Sequence, residues 1–437
     1  MTSETVDANQ AVDANQAVVA RERRHLVHGL GVVTARPPAI EHGSGSRLVD
    51  ATGREFLDLF AGAGRCVLGH GDRGFAAALA DQAGRLAVTR HPSSGRAAFG
   101  EALTEVAPDG LTHLSMFSTG AEAVDAAVRI AREATGRRGV VVFDGSFHGR
   151  TAGVAGLTDG RWLGAGPADP QVRWCPFPSA LDDAPADRLA EALDAVAEVL
   201  GQPGADVAAV LVEPVQGTNG NRPAAPGFLS ALAAVAQAHG ALVIADEVLT
   251  GFGRTGRLFV SAAAGHGVDL MVIGKGMANG FPVAGVLARP ELVEQASRRY
   301  PGFLSSTYGG NPLAVAASSY VLDALLRRGL PERAGRFGAA WAERLRSGLA
   351  DGPLDVTVHG VGLMLGIEVG ADLSAPQWAA LDQRLADHGL LVGRSGRTLR
   401  VNPALTIDES EAEEAADRLA AALAVDGSEL EDRGPMT

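Results

Sequence analysis

Lys275, in the stretch VIGKGMANG (residues 272–280), is the only lysine among 38 basic residues; the others are arginine. Arginine serves as well wherever only a positive charge is needed, but its guanidinium stays protonated. A lysine amine can lose its proton and condense with an aldehyde. One amine retained in an arginine-biased chain therefore points to imine chemistry. Two other features stand in comparable places. Asp246 follows the apolar run ALVIA, and in STGAEA Thr119 precedes Glu122 by three residues, the spacing of a capping box that opens a helix. Free amides at such a start, with a glycine in the turn, make a site for phosphate. Each has an ordinary reading when taken singly: a solvated charge, a turn acid, a common helix cap. Together, an imine-forming lysine, an acid that keeps a ring nitrogen protonated and a phosphate cradle are what pyridoxal phosphate requires.

Elements must bring these residues to one place. LTHLSMF (111–117), GVVVF (139–143), DVAAVLVEP (206–214), GALVIADE (240–247) and VDLMVIG (268–274) are short apolar runs, with helical-period segments such as AEAVDAAVRIAREA between several of them. The alternation implies an α/β fold, a mostly parallel sheet with helices on both faces. Ligands bind such sheets beyond the carboxyl ends of the strands, so Asp246 and Lys275 are expected at the same end, on neighbouring strands. SRLVDATGREFLDL reads as two strands around a Thr52-Gly53 turn, and NPLAVAASSYVLDALL as a long helix. The expected division is a disordered tail over 1–24, the N-terminal part of a small domain over 25–75, a large cofactor domain over 76–320, a C-terminal small domain over 321–424 and a frayed tail over 425–437. The first tail holds VDANQA twice, at 6–11 and 12–17, too polar and small to bury a face.

A chain of 437 residues, 46% hydrophobic, can hold a large core. Its net charge of −13 disfavours nucleic acid and anionic membranes as partners. Cys66 and Cys175 form neither a disulfide framework nor a metal-ligand pattern, so the cytoplasm is the expected compartment and no metal is expected. No apolar run reaches membrane-spanning length, and the N-terminus lacks the apolar core of a signal peptide.

FSTGAEAVDAAVRIAREATGR, FDGSFHGRT, LVEPVQG, IADEVLTGFGRTG, IGKGMANGFPVAGV and SSTYGGNPLA, in this order, resemble the class III aminotransferases, pyridoxal-phosphate enzymes of fold type I. The resemblance runs from about Gly31 to Ala422. It implies that Gly120 and Ala121 offer amides to the cofactor phosphate beside Thr119, that Phe147 stacks on the ring, and that His148 and Glu213 also lie among the cofactor-binding residues. Asp246 would pair with the ring nitrogen, Val248 would pack on the opposite ring face, and Lys275 would bond the aldehyde and shuttle a proton. Thr307 would reach the phosphate of a second subunit, which implies a homodimer with shared active sites.

The same resemblance implies that Arg150 and Arg400 hold substrate carboxylates, which favours glutamate as amino donor in a ping-pong exchange with a carbonyl acceptor. Two positions depart from the ornithine-type pattern. Thr218 stands where a glutamate would neutralise the second arginine, and Leu249 where a glutamine often bonds the ring hydroxyl. Both departures favour another acceptor, an aldehyde or ketone on a sugar or other secondary-metabolite precursor. Two alternatives remain. An aminomutase or epimerase on the same scaffold would need no added donor, but DEVLTGFGRTG is more similar to the transaminase pattern. GHGDRG (69–74) matches a dinucleotide fingerprint, yet residues 84–98 hold no acid where a nicotinamide-binding loop expects one.

Overall fold

The computed structural model describes residues 8–26, 34, 36–163, 169–299 and 302–430. Its central sheet has seven strands in the order His113–Phe117, Ala284–Ala288, Leu270–Ile273, Leu242–Glu247, Val207–Val212, Gly139–Phe143, Val172–Cys175. Ala284–Ala288 runs antiparallel to both neighbours, and every other pairing is parallel. All five runs read as strands are present. Two further strands escaped the sequence reading. Val172–Cys175 is an edge strand with Arg173 and Trp174 exposed, and Ala284–Ala288 is buried at every position, so neither shows a strand's usual alternation.

Side-chain alternation along the strands separates two cores. Val140, Val142, Ile244, Leu270 and Val272 pack with Ala123, Val124, Ala127 and Ile130 of the helix Gly120–Thr135. Val141, Phe143, Val243 and Met271 face the other way, toward Phe228 and Leu232 of the helix Phe228–Ala238 and Val196 and Leu200 of Pro185–Gly201. A strand covered on both faces must be apolar throughout, which is why these runs are continuous. Each such valine or leucine contributes about 1.5–3 kcal/mol on burial.

Beyond this sheet, Val356–Val361, Met364–Val369, Thr398–Val401 and Gly393–Ser395 form an antiparallel sheet. A third sheet holds Ile40–Ser44, Arg47–Asp50 and Glu55–Asp58, the last two being the expected hairpin, with Leu390–Leu391 added in parallel. Residues before His70 thus share a sheet with residues near the C-terminus. NPLAVAASSYVLDALL lies in the helix Pro312–Arg327, as read.

Two expectations need correction, and one alternative falls away. The segment expected as a disordered tail over 1–24 is helical from Ala8 to His25. Alanine, glutamine and arginine are good helix formers, and Asn15 of the second VDANQA copy ties the helix down. Its Nδ2 donates to Asp50 at 2.7 Å and its Oδ1 accepts from the Ala39 amide at 3.1 Å. Residues 1–7 lie outside the described residues. At the other end, Val425 and Leu430 are buried and Asp426 caps the turn Gly427–Glu429, so the chain is anchored to residue 430; 431–437 lie outside the described residues. GHGDRG, finally, is not a dinucleotide loop. The strand before it, Glu55–Asp58, belongs to the third sheet, where its one parallel partner among the described residues is Leu390–Leu391, and Asp72 caps the helix Arg73–Arg85. Among the described residues no helix is long and apolar enough to cross a membrane.

Candidate active site

Asp246 is the penultimate residue of Leu242–Glu247, and Lys275 follows Leu270–Ile273 after one glycine. These strands are adjacent and parallel, with Asp246 opposite Val272, so both residues emerge at the carboxyl edge, as the sequence implied. Lys275 adopts φ 40°, a left-handed backbone that costs a non-glycine residue about 1–3 kcal/mol and clusters at functional sites. The residue is half-buried. Burial pushes its amine down to about 8; the nearby charge of Arg400 adds to this, while Glu213 and Asp246 oppose it.

Asp246 is buried and held on both oxygens. Oδ1 accepts from the Val248 amide at 3.1 Å and Oδ2 meets His148 Nδ1 at 2.7 Å. An ionised carboxylate only accepts, so Nδ1 is then the protonated ring nitrogen of His148. The other nitrogen, Nε2, is buried with no partner among the described residues. Glu213 is also buried. Its two oxygens accept the amides of Phe147 at 2.8 Å and Gly217 at 3.1 Å, and burial raises its pKa. One carboxylate therefore fixes the SFHG loop against the EPVQG loop. Next to Asp246, Glu247 faces away from the site and is satisfied by Ser261 and Thr250.

The helix Gly120–Thr135 begins with the full capping box: Glu122 N donates to Thr119 Oγ1 at 3.3 Å and Thr119 N to Glu122 Oε2 at 2.8 Å. The amides of Gly120 and Ala121, in the first turn, have no acceptor among the described residues. Val248 ties this turn to the lysine. A Cβ on Gly120 would lie 3.2 Å from Val248 Cγ1, and one on Gly274 3.4 Å from the same atom.

Arg400, on the strand Thr398–Val401, is buried with its guanidinium 5.4 Å from the Phe60 ring centroid. No carboxylate pairs with it among the described residues, and its Nε has no partner. Burial lowers its pKa to about 10, with Glu213 opposing. The structure thus brings together Thr119, Gly120, Ala121, Phe147, His148, Glu213, Asp246, Val248, Lys275 and Arg400. Arg150 stands at the rim, exposed, with its guanidinium 5.5 Å from the Phe147 ring centroid. Thr307 is exposed and no hydrogen bond joins it to the site.

The two departures have structural counterparts. Leu249 fills a small apolar cluster with Val215 and Met364. Thr218 presents its carbonyl to the Ser395 hydroxyl. Sequence reasoning missed Phe60, and it missed Arg254. The latter is fully buried with no carboxylate partner among the described residues, its guanidinium donating to the carbonyls of Leu363, Pro403 and Gly64. It clasps three segments around the pocket and its pKa falls to about 10 through burial. The GFGRTG motif held the only signal of it.

A lysine of lowered pKa, an anchored carboxylate facing it and two unfilled helix-start amides fit a phosphorylated pyridine aldehyde. The comparisons agree. The model of the family Aminotransferase class-III matches residues 33–423. The acetylornithine aminotransferase of Xylella fastidiosa is 36% identical over 398 residues, 87% of this chain and 91% of that protein. The enzyme of the same name from Archaeoglobus fulgidus is 34% identical over 402 residues, 91% and 98% of the two chains. Among solved structures, an (S)-enantioselective omega-transaminase from Thermomicrobium roseum superposes with a TM-score of 0.87 at 29% identity, covering 98% of this chain and all of that one. The ornithine aminotransferase of Toxoplasma gondii gives 0.83 at 27%, with 98% and 100% covered. The fold is fold type I and the cofactor is pyridoxal 5'-phosphate; the chain belongs to the class III aminotransferases.

Proposed function

We propose that this aminotransferase takes the amino group from L-glutamate and passes it to an aldehyde or ketone of a biosynthetic pathway, in two half-reactions. The observation that carries the donor is Arg400: a buried guanidinium with no carboxylate partner among the described residues, close enough to Lys275 to depress its pKa. A bidentate fork in that position suits the α-carboxylate of an amino acid, and Arg150 at the rim suits the second carboxylate of glutamate.

When bound, pyridoxal phosphate supplies an aldehyde that exchanges amines and a ring that accepts electron density. Gly120 and Ala121 would hold its phosphate through their amides, with Thr119 beside them. Asp246, kept in place by His148 and the Val248 amide, would hold a proton at the ring nitrogen. Phe147 and Val248 would enclose the ring, and Glu213 positions Phe147 through its amide. Lys275, once released as a free amine, would take the proton from the substrate carbon and return it. Thr307 would serve a second copy of the chain in a homodimer. The free cysteines, one of them buried, suit the cytoplasm.

Thr218 and Leu249 support an acceptor other than that of the acetylornithine enzymes, such as a carbonyl on a sugar, because no acid at 218 can neutralise Arg400. The test mixes cofactor-loaded protein with L-glutamate alone and counts 2-oxoglutarate. One equivalent per site supports the donor; none, with the cofactor absorbance unchanged, contradicts it. Turnover of N-acetylornithine as fast as of glutamate would remove the argument from Thr218 and Leu249.

A further inference from the structure

The segment between Phe60 and Gly69 is folded tightly against Lys275. Asn279, four residues after the lysine, accepts from the Leu68 amide at 2.8 Å and donates to the Gly69 carbonyl at 3.0 Å. A Cβ on Gly276 would lie 2.9 Å from Val67 Cγ1. Within the segment, Ala61, Gly62, Ala63 and Gly64 all have left-handed backbones, at φ 46°, 61°, 64° and 79°. For each alanine that costs about 1 kcal/mol or more. The turn is held by Asp58 Oδ1, which accepts the Phe60 and Ala61 amides at 3.0 and 2.8 Å, and from behind by Arg254 on the Gly64 carbonyl. Gly64 backs onto Leu249: a Cβ there would be 2.7 Å from Leu249 Cδ1. So the turn lies on the pocket wall, with Phe60 against Arg400 at one end and Arg65 at the other.

Arg65 is exposed, its Nε donates to the Gly62 carbonyl, and no carboxylate among the described residues pairs with it. Its charge also reaches Lys275, whose amine it helps to depress. Around Lys275, Arg65, Arg150 and Arg400 all lack a carboxylate partner among the described residues. An acidic molecule that keeps three unpaired guanidiniums at one crevice focuses a positive field there. Glutamate carries two carboxylates, and the reading above gives them Arg400 and Arg150. Arg65 is left over.

We propose that Arg65 is a specificity-determining residue for the second half-reaction, a cationic subsite for an anionic group, carboxylate or phosphate, carried by the carbonyl acceptor. The left-handed turn positions it, and its terminal nitrogens, which pair with no carboxylate among the described residues, receive the anion. The proposal rests on the reading of the protein as an aminotransferase with a separate acceptor, but not on glutamate being the donor.

The test therefore starts from protein reconstituted with pyridoxamine 5'-phosphate, which needs no donor. Two acceptor pairs are compared, succinic semialdehyde against butanal and glyceraldehyde 3-phosphate against glyceraldehyde. In the native protein one anionic member should be preferred by kcat/KM; which pair shows it separates carboxylate from phosphate. Arg65→Gln should cut that preference about tenfold or more, while Arg65→Lys keeps most of it. Titrating unreactive succinate and butyrate calorimetrically into the same form gives a reading independent of turnover. If the carboxylate pair carries the preference, Arg65→Gln should weaken succinate and spare butyrate. No preference for either anionic member, a preference that survives Arg65→Gln, or an equal loss for both members of each pair would overturn the proposal. Failure of the glutamate half-reaction would leave these assays readable.

Discussion

Lys275 should titrate as an amine near pH 8 in the cofactor-free protein. Burial brings it from 10.5 to about 8, with Arg400 next in importance and Glu213 and Asp246 working against both. At pH 7 a group titrating at 8 is free base in roughly a tenth of molecules, against roughly one in three thousand at 10.5. Recombination with pyridoxal phosphate needs the free amine, so its rate should climb with pH and level off above about 8. Arg400→Gln removes a neighbouring cation and should move the midpoint up. Glu213→Gln removes an anion and should move it down. Stopped-flow absorbance, from about pH 6 to about 10.5, reads the rate, with butylamine in the same buffers correcting for titration of the cofactor itself. A midpoint near 10.5, or a downward move in Arg400→Gln, would refute the account of the lysine's surroundings.

The same depression should appear in stability. A folded value below the unfolded one means the buried ammonium's cost is fully present below about 8 and disappears as pH rises through 10.5. Cofactor-free wild type should therefore gain on Lys275→Met between those limits, by a few kcal/mol at most for a half-buried residue; melting curves at both ends show it, and an unchanged gap would count against it. Asp246→Asn should slow the glutamate half-reaction by about a hundredfold or more in single-turnover measurements, while retention of the native rate would remove Asp246 from the chemistry. Gly120→Ala places a Cβ 3.2 Å from Val248 Cγ1 and should cost about 1 kcal/mol in urea unfolding along with cofactor affinity. Val248→Ala in the same chain should recover the stability, and no recovery would contradict that contact. Arg254→Met strands the carbonyls of Leu363, Pro403 and Gly64 and should destabilise by about 2–4 kcal/mol, to be compared with wild type by denaturant midpoint.

The sheet was legible where burial forces a simple pattern. Continuous apolar runs marked five of seven strands, and because ligand residues sit just past strand ends, the sequence alone pairs Asp246 and Lys275 across adjacent strands. The capping box at Thr119 and Glu122 was equally local. What escaped depends on long-range contacts. His148 and Asp246 are 98 residues apart, and nothing in SFHG alone says that a ring nitrogen meets that carboxylate. The FAGAGR turn shows only small residues, and its left-handed course is imposed by Asp58 below and Arg254 behind. The helix Ala8–His25 escaped because its composition shows no apolar face, while Asn15 ties it down through Asp50 and the Ala39 amide.

The central claim is that the one lysine of the chain bonds the cofactor, and the sequence makes this simple to measure. The cofactor-loaded protein would be reduced with borohydride, digested and read by mass spectrometry. The account predicts a pyridoxyl phosphate mass on the peptide containing Lys275 and on no other, absent from Lys275→Met. Unmodified Lys275 in protein that retains the cofactor would contradict it.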